Sequence, residues 1–151
     1  MRLGRLLSNF IDDAGLGWLI SDTASYRCFP EDPDQIRRQD LTFVRAGRFL
    51  NDVPPDSGFC EIPPDLAVEV VSPNDTFYEI SARVADFLSV GTALVWVVDP
   101  AHSTVAVHYP DRPGKTLRAS DALTGDDVLP GLRCRVADLF PPKASRAGGP
   151  V

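Results

Sequence analysis

The stretch PPDLAVEVVSPND, residues 63–75, decides how the chain is read. A double proline precedes a short apolar run, and Ser72-Pro73 ends it. The run is too short for a helix, is bounded by breakers and is rich in valine, so it reads as a buried strand over 66–71. Side chains alternate faces along a strand. Leu66, Val68 and Val70 therefore share one face, and Asp65, Ala67, Glu69 and Val71 share the other. A carboxylate in the middle of a buried strand is expensive unless it is paired or binds a metal. The question that follows is what compensates Glu69.

Downstream, the pattern turns helical. Thr76 and Glu79 have capping-box spacing, with Asp75 as a second capping candidate. Phe77, Ile80, Val84, Phe87 and Leu88 make one apolar stripe, and Gly91 closes it. Ala93 to Val98 is almost wholly apolar and so predicts a strand covered on both faces. Strand, helix and apolar strand form a βαβ unit with parallel strands. Asp99-Pro100 ends the second strand, and the alternating run at 104–109 predicts a hairpin partner. Upstream, Leu3, Leu6, Leu7, Phe10 and Ile11 predict an amphipathic helix over 3–14 that stops at Gly15. Strands are expected at 17–21, 26–29 and 41–44, with a turn at 30–34 and a long connection over 46–62. Residues 110–135 read as polar turns with short strands near 116–118 and 132–134. A last helical turn is expected at 136–140 and a disordered tail at 141–151. Residues 1–140 thus form one domain, and Trp18 and Trp96 read as core.

Composition narrows the function. A net charge of −6 argues against a general nucleic-acid coat, although metal-binding carboxylates are themselves acidic. Arg37, Arg38, Arg45 and Arg48 are the candidates for a local basic patch, and a solvated loop explains them more simply. The three cysteines are odd in number and widely spaced, which reads as reduced thiols in a cytoplasmic protein. With only two histidines, His102 and His108, the composition argues against a zinc site, and both read as surface residues. No apolar run is long enough to span a membrane.

The chemistry rests on carboxylates that can meet. Asp40 begins the strand before that of Glu69. If those strands pair, the two carboxylates come together on one face at one sheet end. Mg²⁺ is usually held by one or two protein carboxylates together with waters and substrate phosphate. Asp65 is more simply a residue that fixes its strand's start. Arg83 stands four residues after Glu79, where a surface pair worth about 0.3–0.5 kcal/mol explains it, yet it borders the apolar stripe and can reach the sheet end.

These residues carry a resemblance. An Asp at a strand start followed by Glu in a buried strand is similar to the PD-(D/E)XK nuclease pattern. The block 63–100, with its VWVVDP at 95–100, and the ending GDDVLPGLRCRVADLF at 125–140 look like the Uma family of restriction endonucleases. The resemblance covers roughly residues 3–140, with 63–100 as its specific part. It implies an α/β, restriction-endonuclease-like fold, a mixed central sheet flanked by helices. It also implies cleavage of DNA phosphodiester bonds with Mg²⁺ (or Mn²⁺), and nucleases of this kind often work as homodimers. Carried over by position, Asp40 and Glu69 match the two metal carboxylates. Gln39 stands where the family usually has Pro, and Val71 where the wider superfamily has Lys. The Uma family resembles enzymes whose Lys has moved to the following helix, and Arg83 occupies that position. Lys is a compact point charge, whereas Arg is forked and always protonated. Members usually carry a further polar segment before the first helix, expected to complete the site. The expected function is therefore a metal-dependent DNA endonuclease with Asp40, Glu69 and Arg83 as its site. The alternative is a catalytically inactive relative that serves as a nucleic-acid-binding or protein-interaction module.

Overall fold

The computed structural model describes residues 2–56 and 58–142. Apart from Pro141 and Pro142, the expected tail lies outside the described residues. The chain opens with α1 (Leu3–Ala14), which buries Leu3, Leu7 and Ile11 and ends at Gly15 in the left-handed region. A sheet of six strands follows: β1 (Gly17–Ser21), β2 (Leu41–Arg45), β3 (Leu66–Val70), β4 (Leu94–Asp99), β5 (Thr104–His108) and β6 (Lys115–Leu117). Their spatial order is the chain order. Only β3 and β4 run parallel, Leu66 opposite Leu94 through Val70 opposite Val98, because α2 (Phe77–Ser89) carries the chain back between them. The neighbouring pairs are antiparallel, including the expected β4–β5 hairpin.

Alternation along β3 sorts the molecule into two cores. Leu66 and Val68 pack with Phe43, Trp96 and the buried face of α1. Ala67 packs with Val44 and Val95 against Val84 and Phe87 of α2. Glu69 belongs to this second face and is 5% exposed. A separate hairpin, β7 (Ala122–Gly125) with β8 (Leu129–Arg135), adds Leu123, Leu129 and Leu132 to the α1 core. A 3₁₀ turn at Val136–Leu139 supplies Val136 and Leu139.

Three expectations fail, each for a physical reason. Residues 26–29 are not a strand: Tyr26 makes only isolated bridges to Arg37 and Cys60. Its aromatic neighbours are apolar because Tyr26 and Phe29 meet Phe87 edge-on beneath α2, not because they join a sheet. Trp18 is 37% exposed, since β1 is an edge strand and its indole N–H donates to Asp52. Phe77 is 79% exposed because the first residue of α2 precedes the turn that meets the sheet. Strand β7 was not foreseen: Ala122 to Gly125 is short and lacks a strand-forming aromatic or branched run. It pairs through Gly125, where a Cβ would stand 2.4 Å from Leu129.

Candidate active site

The register of β2 on β3 brings the two predicted carboxylates together. Leu41 pairs with Val68, so Asp40 falls one step beyond the ladder, level with Glu69. Asp40 is exposed, and its Oδ2 accepts the Val70 backbone N–H at 2.7 Å. That bond extends the strand pairing by a side chain and fixes the carboxylate at the C-terminal end of β3. In sheets with parallel strands, this end is where ligands commonly bind.

Helix α2 supplies the cation. Thr76 caps it, accepting from the Glu79 N–H while Glu79 accepts from the Thr76 N–H, each at 3.2 Å. The capping box sets where the helix begins, and two turns later Arg83 borders the buried stripe of Ile80, Val84 and Phe87. Its Nη1 donates to Glu69 Oε1 and lies 3.5 Å from Asp75 Oδ1. Arg83 therefore meets Glu69 across the sheet face, while its i−4 neighbour Glu79 is committed to the cap.

Asp40, Glu69 and Arg83 line one open pocket of about 430 Å³, together with Ile36, Arg37, Arg38, Val70, Ser72 and Asp75. Burial pushes the Glu69 carboxyl above its ordinary range. Arg83 opposes this, and the negative charges of Asp40 and Asp75 add to it. Burial also works against the Arg83 charge, but Glu69, Asp75 and Glu79 outweigh it and hold the guanidinium ionised. Asp75 was read as a helix cap, but the structure uses it differently. Its Oδ2 accepts from the Ser72 N–H at 2.8 Å and the Ser72 hydroxyl at 3.0 Å, which holds its carboxyl below the usual range. The signal for this role was a Ser and an Asp three apart in the loop between strand and helix.

Of the other candidates, Arg37 and Arg38 share the pocket wall, and Asp65, Arg45, Arg48, His102 and His108 are not among its lining residues. Asp65 holds the start of β3, accepting from the Arg45 N–H and pairing with Arg48, both at 2.8 Å. Arg37 is bound to Asp86 through Nε at 2.9 Å. Arg38 makes one hydrogen bond, to Ser25, and no carboxylate pairs with it among the described residues. His102 is joined to Asp99 at 2.8 Å in the β4–β5 turn, and His108 is half-buried in β5.

Among the described residues, no group of three or more His, Cys, Asp or Glu side chains is arranged to enclose a metal ion. The carboxylates that could hold an ion in the open pocket are those of Asp40 and Glu69. Asp40 Oδ1 and Glu69 Oε2 have no hydrogen-bond partner among the described residues. Among the described residues the buried unpartnered side-chain polar atoms are Thr92 Oγ1 and Trp96 Nε1, and Glu69 Oε2 is not one of them. Hard oxygen donors of this kind suit Mg²⁺ or Mn²⁺. No helix among the described residues is long and apolar enough to cross a membrane.

Known proteins support the same fold. No curated protein matches the chain. Among solved structures it is similar to a putative nuclease belonging to DUF820 from Anabaena variabilis ATCC 29413. The TM-score is 0.77 at 18% identity, over 91% of this chain and 75% of that one. At that identity the likeness concerns the fold: a mixed six-stranded sheet flanked by two helices, the restriction-endonuclease-like α/β arrangement. Residues 1–137 match the family model Uma2, described as "Putative restriction endonuclease", and the chain belongs to that family.

Proposed function

We propose that the protein is a metal-dependent endonuclease that hydrolyses DNA phosphodiester bonds with water as the nucleophile. One observation carries this reading: Asp40, Glu69 and Arg83, from three different elements, line a single open pocket in a chain of the Uma2 family. Asp40 Oδ1 and Glu69 Oε2 are the oxygens that would hold Mg²⁺ or Mn²⁺. A bound ion would lower the pKa of the attacking water and stabilise charge on the phosphate. Asp40 is oriented for this by its bond to Val70, and Glu69 by its place one residue before the end of β3. Arg83 stabilises phosphate charge by donating its N–H groups; being always protonated, it does not act as a base. Arg38, on the pocket wall without a carboxylate partner among the described residues, is suited to a neighbouring phosphate.

The second reading, an inactive relative that binds nucleic acid or protein, is favoured by one specific feature. The Arg83 guanidinium is already engaged by Glu69, and Arg stands where the resemblance implies Lys. Plasmid nicking by purified protein with Mg²⁺ or Mn²⁺ separates the two. Under the nuclease reading the wild type nicks, and Asp40→Ala and Glu69→Ala each lose about 10²–10³ in rate. Arg83→Lys then raises the rate. Nicking by Arg83→Lys alone identifies a site disabled at one position. Nicking by no variant moves the assignment to the binding module.

A further inference from the structure

Arg83 serves two carboxylates that are not equivalent. Its Nη1 donates to Glu69 Oε1 and stands 3.5 Å from Asp75 Oδ1. Glu69 is fixed on a strand, lines the pocket shared with Asp40, and has Oε2 free of hydrogen-bond partners among the described residues. Asp75 is fixed by its loop: both Ser72 bonds go to Oδ2, which leaves Oδ1 facing the guanidinium. A divalent cation on Glu69 repels the guanidinium bound to the same carboxylate. Without Asp75 the displaced arginine would be released to solvent. With it, the arginine stays in the pocket.

We infer that Arg83 and a divalent cation exchange on Glu69, and that Asp75 is the positioning residue that receives the guanidinium when the cation arrives. This rests on the metal-site reading of the pocket. It gives Arg83 two posts: it neutralises Glu69 before the cation binds and stands beside the phosphate afterwards.

The test is calorimetric titration of the full chain with Mn²⁺ at pH 8, without DNA, for wild type, Arg83→Met, Asp75→Asn and the double variant. Removing the competitor tightens Mn²⁺ binding about tenfold in Arg83→Met, as expected for a charge-assisted hydrogen bond. Asp75→Asn, which keeps an acceptor for Ser72, weakens binding about fivefold in the wild-type background and less than about twofold with Arg83→Met. Equal weakening in both backgrounds would mean that Asp75 acts on the cation directly, and it overturns the exchange. So does an Arg83→Met protein that binds no tighter than wild type. Binding by Arg83→Met alone supports the exchange, with Arg83 the stronger competitor. If neither binds, the metal reading fails and the exchange falls with it. Circular dichroism checks folding, and Arg83→Gln replaces Arg83→Met if that variant does not fold.

Discussion

On the α1 side of the sheet, Phe43, Leu66, Val68 and Trp96 meet Leu3, Leu7 and Ile11 with no charged group among them. On the α2 side, one residue further along the same strand, Glu69 is buried against Arg83, and the Tyr26 hydroxyl bonds Thr42 at 2.6 Å. Both faces exclude water, but of the two only the α2 face does so around a buried carboxylate. Burial of apolar surface drives folding, and each buried polar group must recover its lost hydration through a partner. The α1 face therefore carries stability, and the α2 face gives some of it up to hold a carboxylate at the sheet end.

The comparison breaks first at Trp96. It is fully buried in the central strand, so Trp96→Asp places an unpaired charge in the dry core and costs more than about 4 kcal/mol. Chemical denaturation checks this, and a Trp96→Asp protein as stable as wild type would overturn the division between the faces. Glu69→Gln is the opposite case. Nicking falls about 10²–10³, while stability is retained or improved. Its pH dependence has a definite sign. Burial raises the folded-state pKa of Glu69, so its contribution to stability is fully present below the unfolded-state pKa and is lost as pH rises through the folded value. The stability of Glu69→Gln relative to wild type must therefore increase with pH across the carboxylate range. Urea melts at a series of pH values measure it, and a falling difference contradicts the assigned cause.

Smaller effects sharpen the boundary between face and rim. Thr76→Ala removes half of the capping box that fixes where α2 begins, and costs about 1 kcal/mol in thermal or urea unfolding. It also lowers nicking, because the start of α2 sets the reach of Arg83. Phe77→Ser, one residue on, changes stability by no more than about 0.5 kcal/mol, since that ring is largely in water.

Those neighbours also show what the sequence made legible. The unit β3–α2–β4 was readable because its signals are local: prolines at the strand ends, Thr76 with Glu79, and the apolar run before Asp99. Phe77 was misread because a helical stripe does not say where along its length the sheet begins. Trp18 was misread because edge position is a property of the whole sheet. Tyr26 and Phe29 are packed edge-on against Phe87, about sixty residues away, which no local pattern announces. In the site, the meeting of Asp40 with Glu69 followed from strand pairing and alternation. Asp75 escaped because its partner Arg83 is reached only through the loop geometry that Ser72 sets.

The connection between β2 and β3 has a further consequence. It crosses the surface around Leu50 and Val53, both well exposed. A break there sends Asp40 to one fragment with α1, β1 and β2. Glu69, Asp75 and Arg83 go to the other with β3 onward. Neither fragment carries both carboxylates, and the pocket is restored only when Leu41 returns to its place opposite Val68. The chain is in effect a two-part lock, and complementation between the two fragments would put the chemistry of the site under external control.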